Sequence, residues 1–266
     1  VLTYDRRGNS RSRLDRDDGA PLSLPQQCGD ARAALTAAGA DAGLVFGNSS
    51  GATIGLELAL RHPASVSGLV AHEPPIITVL PDAEEQAAFF VEIDRVTREE
   101  GALPAFLLFS STIGRHRPPT LLRHPAGRRT AAAALPVALR LADRWSRRRS
   151  APAAETPEGR HRARLLGNVE FLMAREVAPL VSHVPDVAAL RACGVPILFA
   201  GGRESRSFYY HRAGEVLAGL LGVEFVDFPG HHTSFRTHPD SFARALRHAV
   251  AALPPRGTGS RPDSGR

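Results

Sequence analysis

The sequence predicts an α/β fold, a mostly parallel sheet with helices on both faces and a helical lid inserted between core strands. Three observations carry this. Short apolar runs alternate with helical stretches at both ends of the chain, joined by short loops, as in a parallel sheet flanked by helices. The middle, from about residue 81 to 185, holds helical patterns and no convincing strand. Sheet patterning then resumes, which favours a lid over an independent helical domain.

In order, Val1-Leu2-Thr3-Tyr4 reads as a strand that runs into the polar loop of residues 5–12. Ser23 can N-cap the next helix, with Gln26 three residues on completing a capping box. That helix stops at Gly39. Leu44-Val45-Phe46 is a short buried strand. After Gly47-Asn48-Ser49-Ser50-Gly51 comes a helix ending near His62-Pro63, then a strand at residues 66–71. Candidate lid helices span 83–100, 103–113, 131–145 and 160–180, with Pro- and Arg-rich joints at 115–119 and 147–157. The second sheet segment comprises a strand at 196–200, a helix at 209–221, a strand at 223–228 and a helix at 240–253. The expected organisation is therefore core sheet at 1–77, helical lid at 78–187, core sheet again at 188–253 and a disordered tail at 254–266.

The chain has 266 residues, 43% of them hydrophobic and 23% charged. This is globular composition, which excludes disordered and small disulfide-scaffold classes. No apolar run approaches the roughly 18 residues of a membrane span, so no membrane partner is expected. The net charge of +6 comes from 33 basic residues that are all arginines. They are scattered and accompanied by few aromatics, which argues against a nucleic-acid surface. Two cysteines make no disulfide framework, and a cytoplasmic location is the expectation.

Gly47-x-Ser49-x-Gly51 between a strand and a helix is the strongest chemical signal. A sharp strand-to-helix turn pushes the Ser oxygen above the sheet, and the helix N-terminus favours developing negative charge. A serine needs a base. Pro229-Gly230-His231-His232 follows the last strand, at the sheet edge where parallel sheets gather catalysis, and His232 is chosen over His231. The base needs an orienting carboxylate. Glu204, just past the strand at 196–200, gives the chain order Ser, acid, His. Glu73, in His72-Glu73-Pro74-Pro75, is the rival, ranked second for its place in that order. His231, His232 and His238 lack metal-ligand spacing, so no metal and no cofactor are expected.

With these residues in hand, the chain resembles the α/β-hydrolase fold family over nearly its whole length. Residues 4–12, Tyr4-Asp5-Arg6-Arg7-Gly8-Asn9-Ser10-Arg11-Ser12, look like that family's D-x-R-G-x-G-x-S segment. Gly47 to Gly51 is similar to its nucleophile elbow, the strand through Glu204 to its G-x-x-acid segment, and Pro229 to His232 to its G-x-H loop. The resemblance implies Ser49 as nucleophile, His232 as base, Glu204 as acid and the Ser50 N–H as one oxyanion donor. It implies ester-type hydrolysis of a small ester, thioester, lactone or amide. Acyl transfer, C–C bond hydrolysis and a non-catalytic binding scaffold are the alternatives. The lid helices would shape an apolar pocket, with Phe89, Phe90, Phe106, Phe109 and Trp145 as candidates to line it, although aromatics at helical spacing are more often core packing. The family's oxyanion loop precedes the point where this sequence starts. Three strands and a helix, roughly 40–60 residues, are expected upstream by family order. Loss of one oxyanion donor costs ~10²–10³ in turnover, so an impaired activity is expected. Oligomeric state is not read from the sequence.

Overall fold

The computed structural model describes residues 1–15, 19–113, 117–147 and 157–255. Most of the expected tail, residues 256–266, and parts of the two expected joints lie outside them. The described chain forms two compact units. One contains residues 1–2, 23–86 and 180 onward, and the other residues 3–22 and 87–179.

The first unit is built on four parallel strands in the order β1-β2-β3-β4: β1 (Gly43–Asn48), β2 (Val66–His72), β3 (Ile197–Gly202) and β4 (Phe225–Phe228). Their registers align Asn48 with His72, His72 with Ala200, and Gly202 with Phe228, so all four strands end along one edge. The central strands β2 and β3 are buried almost throughout because helices cover both faces. Side chains alternate accordingly. Leu69, Ala71, Ile197 and Phe199 join the cluster formed with α1 (Leu24–Ala37), α2 (Ser50–Arg61), α10 (Val187–Ala192) and α11 (Tyr209–Leu221). Val70, Leu198 and Ala200 pack with Phe228 and with Phe242 and Ala249 of α13 (Pro239–Ala252). The capping box at α1 is present, with the Gln26 N–H donating to Ser23 Oγ and the Ser23 N–H to Gln26 Oε1. A four-residue helix, α12 (Ser234–Thr237), precedes α13.

The second unit is helical: α3 (Ala83–Glu100, most of its length), α4 (Ala102–Ser111), α5 (Thr120–Arg123), α6 (Pro125–Arg147), α7 (Pro157–Gly167) and α8 (Val169–Phe171). The helix expected at 160–180 is instead broken. After α8 comes a π-helical turn, Leu172–Glu176, and then α9 (Val177–Val181), which runs into the first unit. Arg128 is buried, its guanidinium paired with the Glu100 carboxylate and donating to the Leu122 and Arg123 carbonyls at 3.1 Å each.

Val1 to Tyr4 is not a strand. These residues are exposed and join no ladder, because an apolar run becomes a strand only where a neighbour takes its N–H and C=O groups. The loop that follows packs within the helical unit. Arg6 and Asn9 both donate to the buried Glu176 carboxylate at 2.7 Å, and the Ser10 N–H donates to Asn168 Oδ1 at 2.7 Å. A cavity of about 320 Å³ in this unit is lined by Leu103, Leu135, Pro136, Leu139, Leu166 and Val169 with Glu170. Among the described residues, Phe89, Phe90, Phe106 and Phe109 do not line it. Phe89, Phe90 and Phe109 pack on one another instead, and the side chain of Trp145 lies outside the described residues. Among the described residues, no helix is long and apolar enough to cross a membrane.

Candidate active site

Ser49 stands between the end of β1 and the start of α2 with φ 56° and ψ −124°, a conformation non-glycine residues rarely hold. Its N–H donates to the His72 carbonyl at 2.9 Å, which ties the turn to the end of β2. The turn requires one of its two flanking glycines. A Cβ on Gly47 would lie 2.3 Å from the Gly51 carbonyl oxygen, whereas a Cβ on Gly51 would meet nothing within 4 Å. Ser50 opens α2, so the positive end of that helix faces the turn.

His72 closes β2 fully buried. Its Nδ1–H donates to Asn48 Oδ1 at 2.6 Å, bracing the residue before Ser49. Burial pushes its pKa down to about 4, against the pull of Glu73 and with help from His232 and His211. The ring is neutral at pH 7.

Glu73 follows, also fully buried and with a positive φ of 50°. The backbone kink turns its carboxylate beneath the loop after β4, where Oε2 accepts the His232 Nδ1–H at 2.6 Å. Oε1 accepts the Gly202 N–H at 2.8 Å. Burial alone would raise the pKa of Glu73. The close approach of His211 and the hydrogen bond from His232, with the nearby imidazole charges, outweigh that and hold it down to about 2. The carboxylate is therefore ionised, and the bond to Nδ1 leaves His232 Nε2 as the ring's basic nitrogen.

His232 is 6% exposed, with the Tyr210 ring against it at 4.3 Å between centroids. Its loop closes down on β3 because Gly202 has no side chain. A Cβ there would lie 2.5 Å from the Gly230 carbonyl oxygen. His231 points elsewhere, its Nδ1 accepting the Thr233 N–H at 3.2 Å.

Glu204, ranked first from the sequence, is not brought to His232. It is exposed in the turn after β3, and only its main chain serves the site, the N–H donating to the Gly230 carbonyl at 3.0 Å. Glu73 reaches the base because it leaves β2, between the Ser49 strand and β3, and turns inward. The carboxylate on His232 is thus the second-ranked residue. Sequence reading also passed over His72, Tyr210 and His211. For His72 a signal existed: two polar residues, His72 and Glu73, end an otherwise apolar strand. Among the described residues no three His, Cys, Asp or Glu side chains are grouped to hold a metal ion.

A buried acid–histidine pair and a strained serine turn, on one edge of a parallel sheet, define a recognised class. The chain belongs to the alpha/beta hydrolase fold family, whose model matches residues 1–239. It is 30% identical over 253 residues to the uncharacterized hydrolase YraK of Bacillus subtilis (strain 168), covering 92% of this chain and 77% of that protein. Among solved structures, MGS-M2, an alpha/beta hydrolase enzyme from a Medee basin deep-sea metagenome library, superposes with a TM-score of 0.60 at 15% identity. That match covers 94% of this chain and 79% of that one. Rv0554 from Mycobacterium tuberculosis gives 0.58 at 17% identity, over 95% and 79%. These two likenesses are of fold alone.

Proposed function

We infer that this protein is a serine hydrolase cleaving a small carboxylic ester, thioester, lactone or amide through an acyl-enzyme, with Ser49, His232 and Glu73 as its working residues. The buried 2.6 Å bond from His232 Nδ1 to Glu73 Oε2 carries the reading, since it fixes the tautomer that a general base at this sheet edge needs. In this scheme His232 Nε2 takes the Ser49 hydroxyl proton as the oxygen adds to the substrate carbonyl. Negative charge gathers on the carbonyl oxygen, facing the Ser50 N–H at the start of α2. The proton then passes from His232 to the leaving group as its bond to carbon breaks. Water, deprotonated by the same ring, releases the acid and restores Ser49. Glu73 stays ionised throughout and stabilises the imidazolium.

A fluorophosphonate probe tests this. Labelling by the parent chain should vanish in Ser49→Ala and fall at least about 100-fold in His232→Ala. Glu73→Gln should lower p-nitrophenyl acetate hydrolysis by about 10³–10⁴, by analogy with other triads that lose the acid, while Glu204→Gln leaves it within twofold. Loss in the Glu204 variant with retention in the Glu73 variant would reverse the assignment of the acid.

A further inference from the structure

The Glu73 carboxylate has a third neighbour that this scheme does not use. His211, the third residue of α11, is fully buried, with Nδ1 3.4 Å from Glu73 Oε1 and Nε2 3.5 Å from Oε1 of the half-exposed Glu215 one turn on. The ring is boxed in. The Phe225 ring of β4 lies edge-on at 5.0 Å, and on β3 a Cβ at Gly201 would fall 2.4 Å from His211 Nδ1. Gly201 is therefore the space in which the imidazole sits. The titratable groups around it are Glu73 from the end of β2 and Glu215 on its own helix. His72 and His232 flank Glu73, and on β4 Asp227, two residues on from Phe225, is paired with Arg206. Its helical neighbour Tyr210 packs on His232, so consecutive residues of α11 serve the acid and the base.

Resting on the function just proposed, we propose that His211 is a positioning residue: its buried Nδ1, 3.4 Å from Glu73 Oε1, offers that oxygen a second donor beside the Gly202 amide and so steadies the carboxylate with Oε2 on His232 Nδ1. Oε1 takes the Gly202 N–H at 2.8 Å, and His211 Nδ1, buried and without a hydrogen-bond partner of its own, stands 3.4 Å from the same oxygen. With Oε1 already tied to the Gly202 amide, His211 adds to that hold rather than supplying it alone, and each lost donor raises the basicity of the carboxylate.

The test compares His211→Phe, His211→Asn and His211→Gln in the full chain, with p-nitrophenyl acetate as substrate and fluorophosphonate as label. His211→Phe keeps a planar ring but no donor. It should lower kcat about 10-fold with KM within twofold. It should also move the acid limb of kcat/KM to higher pH, because a Glu73 with one donor fewer holds the His232 proton more tightly. A role in packing alone would not move that limb. His211→Asn places an amide N–H where Nδ1 was and should restore most of the loss. His211→Gln places it where Nε2 was and should not. In the parent chain, ¹⁵N shifts of labelled histidine should show His211 protonated at Nδ1, a reading that needs no variant to fold. A neutral ring protonated only at Nε2, a folded Phe variant with unchanged kcat and limb, or equal rescue by Asn and Gln would overturn the proposal. If Ser49→Ala is dead while His211→Phe is unaffected, the hydrolase reading stands and the His211 role falls. If Ser49→Ala hydrolyses as fast as the parent, both fall.

Discussion

At the serine turn, a missing methyl group decides what the backbone can do. Gly47 cannot carry a Cβ without meeting the Gly51 carbonyl oxygen, and that contact is backbone on both sides, so no side chain can swing away. Gly51 has open space. Gly47→Ala should therefore abolish fluorophosphonate labelling and destabilise the fold by about 1–3 kcal/mol or more, whereas Gly51→Ala should label at the parent rate. Chemical denaturation beside the labelling assay separates the two effects, and equal behaviour of the variants would contradict the steric account. Motif and geometry part here: both glycines belong to the pattern, and one of them holds the turn. Cys28 is a second residue whose surroundings settle its chemistry. Burial pushes its thiol up to about 12 and its Sγ lies against the Ile54 carbonyl, so it packs as a small apolar group.

Among elements, β1 is the most exposed part of the sheet. Among the described residues it pairs only with β2, and Leu44 and Phe46 are 47% and 36% exposed. Much of this layer was legible beforehand. The four core strands and the capped first helix follow from apolar runs and a Ser-x-x-Gln pattern, both local in sequence. The residues at 1–4 carried the same apolar signal and form no strand, because pairing depends on a neighbour that local sequence does not report. The acid was ambiguous for a related reason. Glu73 and Glu204 each follow a strand, and chain order is silent on which backbone kinks inward. His211 was illegible, since a histidine in the first turn of a helix carries no mark of the carboxylate that a distant strand brings to it.

For the molecule as a whole, the buried polar cluster ties stability to pH. His72 stays neutral in the native state down to about 4, against an ordinary value of 6.5, so the unfolded chain takes up its proton first. That contribution is fully present above about pH 6.5 and declines as pH falls towards 4, by about 3 kcal/mol. Glu73 acts in a lower window: its stabilisation is present above its ordinary 4.5 and is lost as pH falls towards 2. Urea unfolding between pH 8 and 4.5 should show stability dropping with acid, and His72→Asn should flatten that slope. A parent protein equally stable across this range would refute the account. The site also has a history written into the order of synthesis. Glu73 and His232 are 159 positions apart, and Arg6 and Glu176 are 170 apart. Both compact units are assembled from segments separated along the chain. At about 5–20 residues per second, a ribosome needs on the order of 10–30 s after Glu73 to deliver its histidine partner. Through that interval the carboxylate must stay in water, because burying it without its donors is costly. The central sheet therefore closes late, and a nascent chain halted before residue 232 is a natural client for chaperones.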